Sequence, residues 1–146
     1  MKHFITILLL SISTTFFAQN HNTKQGFVAE GYDVVSYFNN KAEKGNKEFT
    51  TDFDGVKFKF SSKEHLEIFE KNPKKYIPQY GGFCAYALGV KAEKVDINPK
   101  TFEIRDGKLY LFYDSWGTNT FELWKKEGAE NLQKQADKNW LKIIDN

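Results

Sequence analysis

Cys84 is the single cysteine of this chain, and it follows a glycine pair in the string Tyr80-Gly81-Gly82-Phe83-Cys84-Ala85-Tyr86-Ala87. A thiolate is a soft metal ligand and also a redox centre, so ligand or thiol chemistry belongs here. Adjacent glycines reach positive φ without steric cost. Gly81 and Gly82 are therefore expected to turn the chain sharply, with Tyr80, Phe83 and Tyr86 shaping a pocket around the thiol. The other soft donors that remain after a leader is removed are His65 and His21, since the only methionine is Met1. His65 is expected early on a helix that can pack over the glycine turn, against the plainer reading of a solvent-facing imidazole. His21 lies in a polar tail and is not assigned a role. Asp33 and Asp96 each fall where an extended segment meets a loop, which makes them the carboxylate candidates; capping or turning the chain is the competing role. The expected metal set is thus Cys84, His65, Asp33 and Asp96.

Copper(I) is the least demanding ion for such a set, because it accepts two or three soft ligands; zinc and iron are the other candidates. A closed tetrahedral zinc site is disfavoured, since the chain has no Cys-x-x-Cys or His-x-x-x-His spacing. Hydrolytic motifs are missing too: there is no Gly-x-Ser-x-Gly elbow, no phosphate-cradling glycine loop and no His-Glu-x-x-His. The expectation is a protein without catalytic activity of its own. Two alternatives to metal binding stay open for Cys84: a thiol-redox function, or a buried small hydrophobe in an interaction module.

The elements that must position these residues follow from pattern. Val28 to Phe38 is rich in β-branched and aromatic residues and reads as an extended segment, and 39–46 as a loop. Phe49 to Phe53 and Val56 to Phe60 flank Asp54-Gly55, the preferred pair for a two-residue hairpin turn. Ser61 with Glu64 forms a capping box opening a helix whose Leu66, Ile68 and Phe69 face the core; Pro73 ends or restarts it. A helical turn ended by Gly89 is expected after Cys84, then irregular chain to Pro99. Thr101 to Arg105 and Lys108 to Tyr113 flank Asp106-Gly107 as a second hairpin, its last arm covered on both faces and read as a central strand. From Thr118 on, Phe121, Trp124, Ala129, Leu132, Ala136, Trp140 and Ile143 recur at helical spacing, with Gly128 as the break. The fold class is α+β: a small antiparallel sheet of two hairpins, a short helix after the first, and C-terminal helices packed on it.

The opening residues pair a basic start with the apolar run Phe4 to Leu10 and read as a signal peptide over residues 1–18, too short to span a membrane. Residues 19–27 read as a flexible tail and 28–146 as one domain. The expected product is exported, periplasmic or secreted, without a membrane span. A single cysteine excludes an internal disulfide, so the fold must stand on its core, to which 14 Phe, 7 Tyr and 3 Trp contribute. A net charge of +2 and a single arginine, Arg105, argue against a nucleic-acid surface. A monomer is expected.

Five pieces in this order resemble the exported branch of the YHS-domain family. They are Gly31-Tyr32-Asp33-Val34-Val35-Ser36-Tyr37-Phe38, the Asp54-Gly55 hairpin, Asn72-Pro73-Lys74-Lys75-Tyr76, Gln79-Tyr80-Gly81-Gly82-Phe83-Cys84-Ala85 and Asp106-Gly107-Lys108-Leu109-Tyr110-Leu111. The resemblance runs from about Gly31 to Trp140. It implies a small α+β metal-binding module, acting with a metal-handling protein partner, with Cys84 as the matching ligand position. The Tyr-His-Ser triplet that names that family is not in this chain.

Overall fold

A computed structural model describes residues 20–146 of the chain. The expected leader, Met1 to Ala18, lies outside the described residues. The class is α+β, as expected, with three small sheets and the C-terminal helices. Strands β1 (Thr23–Lys24), β2 (Phe27–Val28), β3 (Asn46–Phe53) and β4 (Val56–Phe60) form one sheet in the order β1-β2-β4-β3. The Asp54-Gly55 turn joins β3 to β4 with both residues at positive φ, as a type I′ hairpin requires. Along β4 the alternation holds: Val56, Phe58 and Phe60 are buried while Lys57 is exposed.

Two segments differ from expectation. Asn20 to Lys24, expected as a tail, crosses the glycine turn and then pairs β1 with β2, whose Phe27 lies parallel to Lys57 of β4. We call residues 20–28 the strap. Beyond Val28, which ends β2, the stretch to Phe38 is not a strand: it contains two short 3-10 turns, Ala29–Gly31 and Ser36–Asn39. The reason is Asp33, whose Oδ1 accepts the N–H groups of Val35 at 2.9 Å and Ser36 at 3.2 Å and so curls the backbone away from a ladder.

Helix α1 (Lys63–Lys71) buries Phe69, with Leu66 and Ile68 half-buried. Its cap is Ser62, one residue later than the capping box predicts: the Ser62 hydroxyl accepts His65 N–H at 3.1 Å. Pro73 starts α2 (Pro73–Tyr76), with Asn72 outside the helical region. A short 3-10 turn at Gln79–Gly82 leads into α3 (Ala85–Lys91). Gly89 does not end α3 but sits inside it, where a Cβ would lie 2.8 Å from the Leu132 carbonyl oxygen; it is the contact point with the last helix.

The second hairpin, β5 (Asn98–Arg105) and β6 (Lys108–Phe112), turns at Asp106-Gly107 and forms its own two-stranded sheet. Strand β6 is covered on both faces, as its sequence predicts, but not by flanking strands on each side. Leu109 and Leu111 enter one apolar core with Val34, Tyr37, Phe58, Phe60 and Phe69; Tyr110 and Phe112 enter a second with Leu88, Trp124, Leu132 and Ala136. A small hairpin, β7 (Asp114–Ser115) and β8 (Thr118–Asn119), precedes α4 (Thr120–Glu127), and Gly128 at φ +107° separates α4 from α5 (Ala129–Ile144). Trp124 is a core anchor, fully buried with its indole N–H donated to Glu103, and Trp140 packs half-buried against the second core. No helix among the described residues is long and apolar enough to cross a membrane.

Candidate metal centre

The structure brings two of the four expected ligands together. Asp33 is completely buried, and its carboxylate is the meeting point of three segments. Oδ1 takes the two backbone N–H groups of its own turn. Oδ2 accepts the Ser61 N–H at 2.8 Å and the Ser61 hydroxyl at 2.6 Å, and lies 2.6 Å from Nδ1 of His65. Burying a carboxylate is costly unless charge-assisted hydrogen bonds replace its water, and here five contacts do so. The start of α1 adds the positive end of a helix dipole.

Glu43 completes the cluster. One donor atom each from Asp33, Glu43 and His65 all lie within 4.8 Å of one another. The single Ser61 hydroxyl proton is committed to Asp33 at 2.6 Å, so the 3.4 Å contact between Ser61 Oγ and Glu43 Oε2 is weak. Neither carboxylate has a lysine or arginine partner among the described residues. Two carboxylates therefore share one imidazole, which leaves the cluster short of positive charge. Sequence reasoning missed Glu43 and Ser61. Glu43 stands in a lysine-rich stretch that reads as loop, and Ser61 reads as the helix cap that Ser62 in fact supplies.

Cys84 and Asp96 lie apart from this cluster. Among the described residues no other group of three His, Cys, Asp or Glu side chains converges as Asp33, Glu43 and His65 do. Cys84 is fully buried immediately before α3. Its sulfur accepts the Tyr113 N–H at 3.3 Å and lies 3.3 Å from Thr120 Oγ1. The Thr120 hydroxyl donates its one proton to the Tyr113 carbonyl at 2.7 Å, so the thiol must be the donor to Thr120. Asp96 is exposed and ties down the strap: its Oδ1 accepts Asn22 Nδ2 at 3.0 Å and its neighbour's Ile97 N–H at 2.8 Å.

The glycine turn behaves as the sequence predicts. Tyr80, Gly81 and Gly82 all have positive φ, and a Cβ on Gly81 would overlap the Asn20 carbonyl oxygen of the strap. The Asn22 N–H donates to the Gly81 carbonyl at 2.7 Å. The expected pocket, however, is two cavities. Tyr86 lines one of about 380 Å³ with Cys84, Ala87, Lys91, Val95, Tyr113, Thr118, Thr120 and Leu123. Tyr80 and Gly81 line another of about 500 Å³, walled by Trp140, Leu141 and the His21–Asp54 pair at 2.9 Å. Gly82 and Phe83 line neither. Burial first, then its hydrogen bond to Asp137 at 2.8 Å, push the Tyr80 hydroxyl far above the ordinary tyrosine range. Compared with protein-family models, with curated proteins and with solved structures, the chain matches none.

Proposed function

We propose that this chain is an exported, non-enzymatic domain of the YHS type that binds a divalent transition metal ion through Asp33, Glu43 and His65. The observation that carries this reading is the convergence of an imidazole and two carboxylates from three separate segments within 4.8 Å, without a lysine or arginine ion-paired to them among the described residues. One nitrogen and two oxygen donors suit Zn(II), Fe(II) or Mn(II) rather than Cu(I), which favours thiolate and thioether. Asp33 lies in the first of the segments that carry the family resemblance and Cys84 in the fourth, whereas Glu43 and His65 lie outside them.

Loading has a physical requirement. His65 Nδ1 and Asp33 Oδ2 lie 2.6 Å apart, the spacing of a hydrogen-bonded pair. Two atoms bound to one ion at about 2.1 Å lie about 3 Å or more from each other. The pair must therefore open and give up its shared proton, so binding releases protons and weakens as pH falls.

The test is equilibrium dialysis of the purified protein against Zn(II), Fe(II) and Mn(II), followed by elemental analysis. About one ion per chain is expected, with loss of at least tenfold in affinity in Glu43→Gln and in His65→Ala. Both variants keep the buried Asp33 and its Ser61 partner, so circular dichroism should show them folded. Retention that survives both substitutions, or no retention by the parent, removes the assignment. Loss in Cys84→Ser alone would move the ion to the thiol.

A second reading rests on one observation, that Cys84 forms part of the wall of the 380 Å³ cavity. In that reading the thiol is a redox group. It predicts that the native thiol reacts with a small disulfide such as oxidised glutathione, whereas a purely structural thiol reacts only after unfolding.

A further inference from the structure

Four two-residue hairpin turns in the described chain share one backbone form, a non-glycine residue at positive φ followed by glycine. The first residues are Gln25 at +54°, Asp54 at +54°, Asp106 at +50° and Trp116 at +52°. Aspartate tolerates this conformation because its short side chain bonds locally, and glutamine is unbranched; a bulky aromatic is an outlier. The indole gains no compensating packing, for Trp116 is 96% exposed while Trp124 is fully buried. A residue that breaks the local rule and makes no contact within its own fold points to a contact outside it.

Its position says where. Tyr113 immediately precedes β7, Thr118 lies in β8 and Thr120 opens α4, and all three line the Cys84 cavity. The hairpin that carries Trp116 is thus one side of that cavity, so a knob and a hole stand side by side on one surface. Such a patch is complementary to itself across a two-fold axis.

We propose that the chain forms a two-fold dimer in which Trp116 of each copy fills the Cys84 cavity of the other. The cavity, at about 380 Å³, falls at the size that encloses small ring compounds, roughly 300–1,000 Å³. Tyr86, Val95, Tyr113 and Leu123 offer it apolar walls. Lys91 and Thr118 are exposed at the opening, where an ammonium can lie over the indole face and a hydroxyl can accept the indole N–H. A bilayer is the weaker partner: one indole flanked by Asp114, Ser115 and Thr118 is a single anchor, and stable membrane attachment takes two signals. Each exchange buries an indole of about 200 Å² and a similar area of cavity wall, about 800 Å² for the pair, the size of a transient contact.

Sedimentation velocity of the purified protein from about 1 µM to 1 mM tests this, the upper limit corresponding to the weakest dimer worth the name. The weight-average coefficient should climb from monomer toward dimer. Trp116→Asp should hold the protein monomeric throughout while melting no lower than the parent, because aspartate suits this turn. Leu123→Lys, from the hole side, should do the same to association. A parent that stays monomeric to 1 mM overturns the proposal, and so does a dimer that persists in Trp116→Asp.

Discussion

Asp33 is the residue on which the largest single substitution effect is expected. Its carboxylate satisfies Val35 N–H, Ser36 N–H, Ser61 N–H and the Ser61 hydroxyl, and it holds His65. Asp33→Ala strands the Val35 and Ser61 N–H groups in the interior, while Ser36 N–H keeps the Asp33 main-chain carbonyl at 3.2 Å, at a cost of about 3–5 kcal/mol, read as a lower urea midpoint at unchanged slope. His65→Ala should cost far less, because the remaining four donors still satisfy the carboxylate. Equal losses in the two variants would mean that the ring, not the backbone donors, stabilises the buried charge. The sequence marked Asp33 and His65 separately as polar residues at element edges, but could not pair them: they are 32 residues apart and meet directly only in the fold, where Ser61 bonds the same carboxylate oxygen. Cys84 drew attention by being alone, yet its partners are a backbone N–H and a threonine hydroxyl, neither of which a motif announces.

At the scale of elements, what repeats was legible and what depends on distant partners was not. The Asp54-Gly55 and Asp106-Gly107 turns, the restart at Pro73 and the break at Gly128 follow from local φ preferences, and the chain obeys them. Val28 to Phe38 has strand composition but turns, because Asp33 offers its backbone a competing set of acceptors. The strap is polar and reads as a tail, yet it docks because Gly81 leaves room for its backbone. Gly81→Ala is therefore expected to cost about 2–3 kcal/mol and to free the strap. Limited proteolysis should then cut near Lys24 at a concentration of protease that spares the parent; equal resistance would show that the strap holds without the glycine.

At the scale of the whole molecule, strand β6 divides the apolar interior, carrying Tyr110 itself and with Tyr37 and Tyr80 in the cores on either side. Burial pushes Tyr110 up to about 12, and pushes Tyr37 and Tyr80 higher still. Each donates or accepts a short bond inside: Tyr37 to the Pro99 carbonyl at 2.6 Å, Tyr80 to Asp137 at 2.8 Å, Tyr110 from Gln133 at 2.8 Å. A raised folded value means the native state keeps its proton while the unfolded chain loses it near 10. The stabilisation is complete below pH 10 and is lost as pH rises toward 12 and beyond. Absorbance at 295 nm should accordingly show these tyrosines ionising only with cooperative unfolding above pH 10. A smooth, reversible titration of all 7 tyrosines around pH 10 would contradict their burial.

The strap also sets an order of events in time. The side-chain partners of its Asn22, Gly82 and Asp96, lie 60 and 74 residues downstream. Contacts of such separation close late, after the loop entropy of the intervening chain has been spent on nearer pairings. The stretch made before the rest of the described domain is thus among the last to find its seat, and its docking marks a finished molecule.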